Sequence, residues 1–212
     1  MKLAKLFTDA WQIFLRKIWG FAIIQLVLAA AAAIVVLTVF GGSVLNFAFF
    51  NVSLWQIGSA GLLLIAILIF LTVWGEAATF EYALSDGTLG AAVKKGLNKW
   101  FGYFLLFLAL GIIIVLGLIL FIIPGIVLAT YLLAAPAVLA KENKVSLGRS
   151  FAIVGPVFWP VLFWLFVSVV VFSIVDFVPV VGDIASILFP SWIACLAAAV
   201  YFHSRKKLQE TK

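Results

Sequence analysis

Six long apolar runs follow one another along the chain, near residues 18–40, 58–80, 101–123, 125–140, 158–177 and 184–203, with most of the charge confined to the segments between them. Each is close to the roughly 20 residues that an α-helix needs to cross a bilayer core. The segments alternate in character. Gly41–Ile57, the Ile122-Ile123-Pro124-Gly125 turn and Asp176–Asp183 are free of basic residues, whereas Glu81–Trp100, Lys141–Val157 and the two ends are basic. The pattern predicts an all-α polytopic membrane protein with six transmembrane helices in a single integral domain, 1–212, with Pro124 and Gly125 as a structural turn.

The basic residues set the expected orientation. Lys2, Lys5, Arg16 and Lys17 precede the first run, and Lys94, Lys95 and Lys99 follow the second. Lys141, Lys144 and Arg149 follow the fourth, and Arg205, Lys206, Lys207 and Lys212 follow the sixth. Together these are all fourteen Lys and Arg. Basic residues flanking spans are retained on the cytoplasmic side, which predicts both termini in the cytoplasm of a prokaryotic inner or plasma membrane. The net charge of +6 is then a topology signal, and nucleic acid is not implied as a partner.

Composition narrows this further. Hydrophobic residues make up 67% of the chain and charged ones 10%, against about half and about a quarter in an ordinary soluble domain. No separate soluble domain fits beside six spans. The one cysteine, Cys195, allows no internal disulfide and no cysteine metal cluster, and no cofactor is expected. The first apolar run exceeds the roughly 7–15 residues of a signal-peptide core, so it is expected to remain as a span.

A weak internal repeat runs through the chain. Aligning Ala10, Ala92 and Ser150 superposes Phe7, Leu89 and Leu147, then Trp19, Phe101 and Trp159, then Gly20, Gly102 and Pro160. This suggests three parallel units, 1–84, 85–142 and 143–212, each an interfacial helix followed by a two-span hairpin. In the first unit Leu3, Leu6, Phe7, Ala10, Trp11, Phe14 and Leu15 share a helical face opposite Lys2, Lys5, Asp9, Gln12 and Arg16. Such a helix is expected to lie in the headgroup plane, its aromatic stripe in the acyl boundary. Arg16, Lys17, Lys94, Lys95, Lys99 and Arg149 are the candidate contacts to anionic headgroups, with Trp19, Trp100, Trp159 and Trp164 as belt residues.

Glu76 and Glu81 are the candidate chemical residues. Glu76 falls inside the second run, and a short carboxylate cannot snorkel as lysine does, so it must face protein or water. It is either a proton or cation site, with Glu81 as a second carboxylate, or an ion-pair partner of Lys94, Lys95 or Arg16, the simpler reading. Pro136 and Pro190 fall within apolar runs, where kinks are commoner than transport sites. Gly111 and Gly117 suggest close helix packing. Asp183 is expected to cap the sixth helix, Asp176 to be interfacial, and His203 to be an ordinary interfacial histidine. No nucleophile, metal or phosphate-binding motif occurs, and an enzyme is not expected.

Residues 122–151 carry a resemblance. Ile122-Ile123-Pro124-Gly125-Ile126, then Tyr131, Pro136-Ala137, Glu142, Ser146-Leu147 and Arg149-Ser150-Phe151, are similar to the membrane domain attached to some bacterial glycerophosphodiester phosphodiesterases and to free-standing YciC-like membrane proteins. The closing Tyr201-Phe202-His203-Ser204-Arg205-Lys206-Lys207 is similar too. Where that group has a short basic helix ending in Gly-Arg, this chain has Gly155-Pro156-Val157. The resemblance implies a membrane domain alone, because phosphodiesterase chemistry needs paired histidines and this chain has only His203.

These features favour a non-enzymatic membrane module that organises lipid or a partner protein, or its own copies, at the cytoplasmic face. The alternative is a small transporter or channel using Glu76. The topology has its own test. With Cys195 replaced, single cysteines at Asn51 and Val180 should label from outside sealed cells, and those at Asn98 and Asn143 should be protected. Outside labelling at Asn98 would overturn it.

Overall fold

The computed structural model describes residues 3–49, 54–120, 122–177 and 181–210. In chain order the helices are α1 (Leu3–Phe49), α2 (Leu54–Leu84), α3 (Leu89–Asn98), α4 (Trp100–Leu120) and α5 (Ile122–Leu132). They continue with α6 (Ala135–Glu142), α7 (Leu147–Val154), a 3-10 turn (Gly155–Val157), α8 (Phe158–Val175) and α9 (Val181–Glu210). Six stretches are long and apolar enough to cross a membrane: Ala4–Val35, Gly61–Leu84, Trp100–Ile119, Ile123–Glu142, Leu147–Val175 and Ile184–Arg205. The chain is an all-α multi-pass membrane protein. Helices are the required solution, since each satisfies its own backbone polar groups where water is absent.

Spans four and six form the centre. They are 56% and 59% buried, against 17–22% for the other four. From Ala194 to Tyr201 α9 is buried on every side. Its run of alanines lets neighbours approach closely, which is how apolar helices gain contact in lipid. Trp192 donates to Ser168 Oγ at 2.7 Å and Ser168 donates to the Trp164 carbonyl, so a polar relay ties α8 to α9. α3 lies against α2 at Gly96, where a Cβ would stand 2.7 Å from the Ala78 backbone nitrogen.

Several sequence expectations are corrected. The first entry segment is continuous with the first span, because nothing between Leu3 and Gly20 breaks the helix. Leu6, Ala10 and Phe14 are buried, and Phe7 stacks on Trp164 with ring centroids 4.3 Å apart, so part of the stripe expected in lipid packs on α8 and α9. Trp11 and Phe14 also meet Trp192. Most of the expected Gly41–Ile57 loop is helical, up to Phe49 and again from Leu54. Pro124 lies in the first turn of α5, where its missing N–H leaves no bond unmade, so Pro124-Gly125 is helix rather than turn. Gly125 instead permits close approach: a Cβ there would lie 2.8 Å from the Leu118 nitrogen, and one on Gly117 3.0 Å from Gly125 Cα. Gly111 borders open space among the described residues, with no atom placed for close packing. The side chain of Asp183 lies outside the described residues, while Asp176 accepts a 2.9 Å hydrogen bond from Ser186.

One end of the bundle is fastened by charge. The Lys17 ammonium donates to the carbonyls of Tyr82, Ala83 and Ser85, at and just beyond the C-terminus of α2, and lies 4.9 Å from the Tyr82 ring centroid. Lys99, between α3 and α4, forms a 2.8 Å ion pair with Glu81 and donates to the Ala140 carbonyl at 2.7 Å. Arg149 pairs with Glu142 at 3.3 Å, and Tyr201 donates to the same carboxylate. These contacts join α1, α2, α6, α7 and α9 to the α3–α4 junction.

Glu81 is only 4% exposed, so losing its partner should be costly. Lys99→Met should destabilise the protein by about 3–5 kcal/mol, the usual result of stranding a buried charge, and Lys99→Met with Glu81→Leu should recover most of that loss. Thermal unfolding in detergent reads both. A double variant no more stable than Lys99→Met would refute the pairing.

Candidate functional site

Span four is interrupted at its middle. Pro136 has no N–H to offer the carbonyl four residues earlier and its ring crowds that turn, so α5 stops at Leu132 and α6 starts afresh at Ala135. The junction holds together by local bonds, Leu133 N–H to the Thr130 carbonyl at 3.4 Å and Val138 N–H to the Ala134 carbonyl at 2.9 Å. The Tyr103 hydroxyl reaches the Pro136 carbonyl from α4 at 3.5 Å. In span six Pro190 sits inside α9 and removes a second helical bond.

Beside both prolines the helices part into a cavity of about 500 Å³ that is an open cleft rather than an enclosed chamber. Its walls are Thr72, Val73, Glu76 and Phe80 of α2, Phe107, Leu110 and Ile114 of α4, Ala129 and Leu132 of α5 with Leu133, Pro136 of α6, and Phe189, Pro190 and Ile193 of α9. Spans two, three, four and six therefore all contribute. Among these side chains only Thr72 and Glu76 carry oxygen. The Thr72 hydroxyl already donates to the Leu68 carbonyl at 2.8 Å.

Glu76 is half-buried and, among the described residues, its carboxylate meets no cation and no hydrogen-bond donor. The expected ion pair with Lys94, Lys95 or Arg16 is not formed. The fastening role falls to Glu81, whose partner is Lys99. Nor do the two carboxylates act as a pair. Five residues apart on one helix, they point about 140° from each other, one to the cavity and one to the charged end.

The six candidate headgroup contacts divide equally. Lys17, Lys99 and Arg149 are engaged with carbonyls or carboxylates of their own chain. A helix C-terminus attracts cations, and Lys17 and Lys99 satisfy such ends, whereas Arg149 pairs with the Glu142 side chain. Arg16, Lys94 and Lys95 are exposed and carry no ion pair among the described residues. Among the described residues no group of three or more His, Cys, Asp and Glu is placed to hold a metal ion, and Cys195 is buried in α9.

What sequence reasoning missed was the cavity itself. Its signals were the two prolines within apolar runs, each taken singly as a kink, and nothing in the linear pattern said that they would face Glu76. Comparison with protein-family models, with curated proteins and with solved structures finds no match to this chain.

Proposed function

We propose that this chain is a small non-enzymatic transporter whose working site is the Glu76 cavity, the carboxylate holding a proton or a cation. One observation carries the reading: an unpartnered carboxylate faces a cavity between spanning helices, where leaving a charge unmatched is expensive and such residues are as a rule functional. The broken fourth span and the proline in the sixth support it, since interrupted helices beside a cleft between spans provide both a binding surface and a hinge. The largely apolar wall favours a carrier that exposes the site alternately over an open channel with a continuous polar lining. The distribution of basic residues supports an orientation with both termini, and the charged end, on the cytoplasmic side of a prokaryotic inner or plasma membrane.

In proteoliposomes Glu76→Gln should lower cation- or proton-coupled flux about tenfold or more, the change that about 1.4 kcal/mol of lost affinity produces. Unchanged flux in a variant that elutes as the native protein does would defeat the reading.

A second reading, a module that organises anionic lipid or a partner at the cytoplasmic face, is favoured by the exposure of Arg16, Lys94 and Lys95. Each cation near an anionic surface contributes about 1 kcal/mol. Replacing all three with glutamine should therefore strip anionic lipid from the protein extracted in native nanodiscs. Equal anionic-lipid content in variant and wild type would remove this reading.

A further inference from the structure

We propose that the occupant of the Glu76 cavity is a lipophilic organic monocation, an amine or quaternary onium centre carried on an apolar body. This deepens the transport reading and rests on it. The cavity, at about 500 Å³, falls in the range of small-molecule sites, far beyond the needs of a lone ion.

Its chemistry selects the ligand's charge and its body separately. An inorganic cation entering it would exchange a full hydration shell for the two oxygens of Glu76, whereas calcium takes about 6–8 oxygen ligands and magnesium a complete octahedron. The Thr72 hydroxyl, whose proton goes to the Leu68 carbonyl, can add at most one further oxygen to those two, still short of either set. An anion would face a carboxylate, and a neutral polar ligand would find no free side-chain donor among the lining residues. The two prolines bring no N–H to the wall. What the site does offer is one negative charge, the rings of Phe80, Phe107 and Phe189, and aliphatic walls. A weakly hydrated organic cation matches all three, because its charge is held by the carboxylate and by aromatic rings and its body by apolar contact.

The test uses the purified full chain in detergent with radiolabelled tetraphenylphosphonium and, as a smaller probe, tetrabutylammonium. Saturable binding of at least one probe is expected, with the neutral analogue triphenylphosphine oxide failing to compete. Glu76→Gln should weaken it about tenfold or more, as loss of the single charged partner predicts, and Glu76→Asp should retain it. Leu110→Trp, which keeps the carboxylate and fills the cavity, should abolish binding without needing any change at Glu76. Competition by the neutral analogue, or binding indifferent to both Glu76→Gln and Leu110→Trp, overturns the proposal. Glu76-dependent proton or sodium flux with no saturable binding of either probe also overturns it, while leaving the transport reading standing. Absence of both flux and binding removes the two together.

Discussion

At the end of α2 the last backbone carbonyls have no further helical turn to bond them, and Lys17 reaches across from α1 to supply the donors. Lys99 does the same for the Ala140 carbonyl at the end of span four while holding Glu81. In a protein with so much apolar surface, dispersion alone does not choose which helices lie together, because lipid offers each of them an equally apolar alternative. Directional contacts to helix ends do choose. They bind the cytoplasm-proposed ends of five helices into one layer, and everything above that layer inherits its arrangement.

Held at one end, the spans diverge where their backbones are weakest. Span four has lost its continuous ladder at Pro136 and span six carries Pro190, and the cavity opens beside both. The same residues that cost helical bonds create room that a straight, fully bonded bundle would fill with side chains. Glu76 lies beside that room. Five residues on, Glu81 is neutralised by lysine, so a single helix carries one structural carboxylate and one left over. The unmatched one stands where a ligand has both space and a reason to bind.

The basic residues divide by the same logic. Sequence position alone groups Arg16 with Lys17 and Lys94 with Lys99, yet in each pair one is exposed and one is engaged. Arg16 and Lys17, adjacent on α1, point about 100° apart, so one faces a helix end and the other outward, while Lys94 lies on α3 and Lys99 just past its end. In the proposed lipid reading, the outward set is the one left exposed to headgroups.

The helical, multi-pass character was legible from the chain because it depends on a local quantity, apolar length against bilayer thickness, which any 20-residue window contains. The gathering of Lys17, Lys99 and Arg149 at one end was equally legible, since alternate connections must emerge on the same side. Partner choice was not. Whether Glu76 or Glu81 receives a lysine depends on the crossing of α2 with the α3–α4 junction, and whether the Leu6–Phe14 face meets lipid or Trp192 depends on where α9 lies. Those are relations between residues distant in sequence, and periodicity along one helix gives a face without naming what covers it. The chain itself determined which residues could bear charge in the membrane; tertiary packing decided which charge would be matched, and left Glu76 facing an apolar cavity because the nearby lysine lies on the side of α2 that Glu81 occupies.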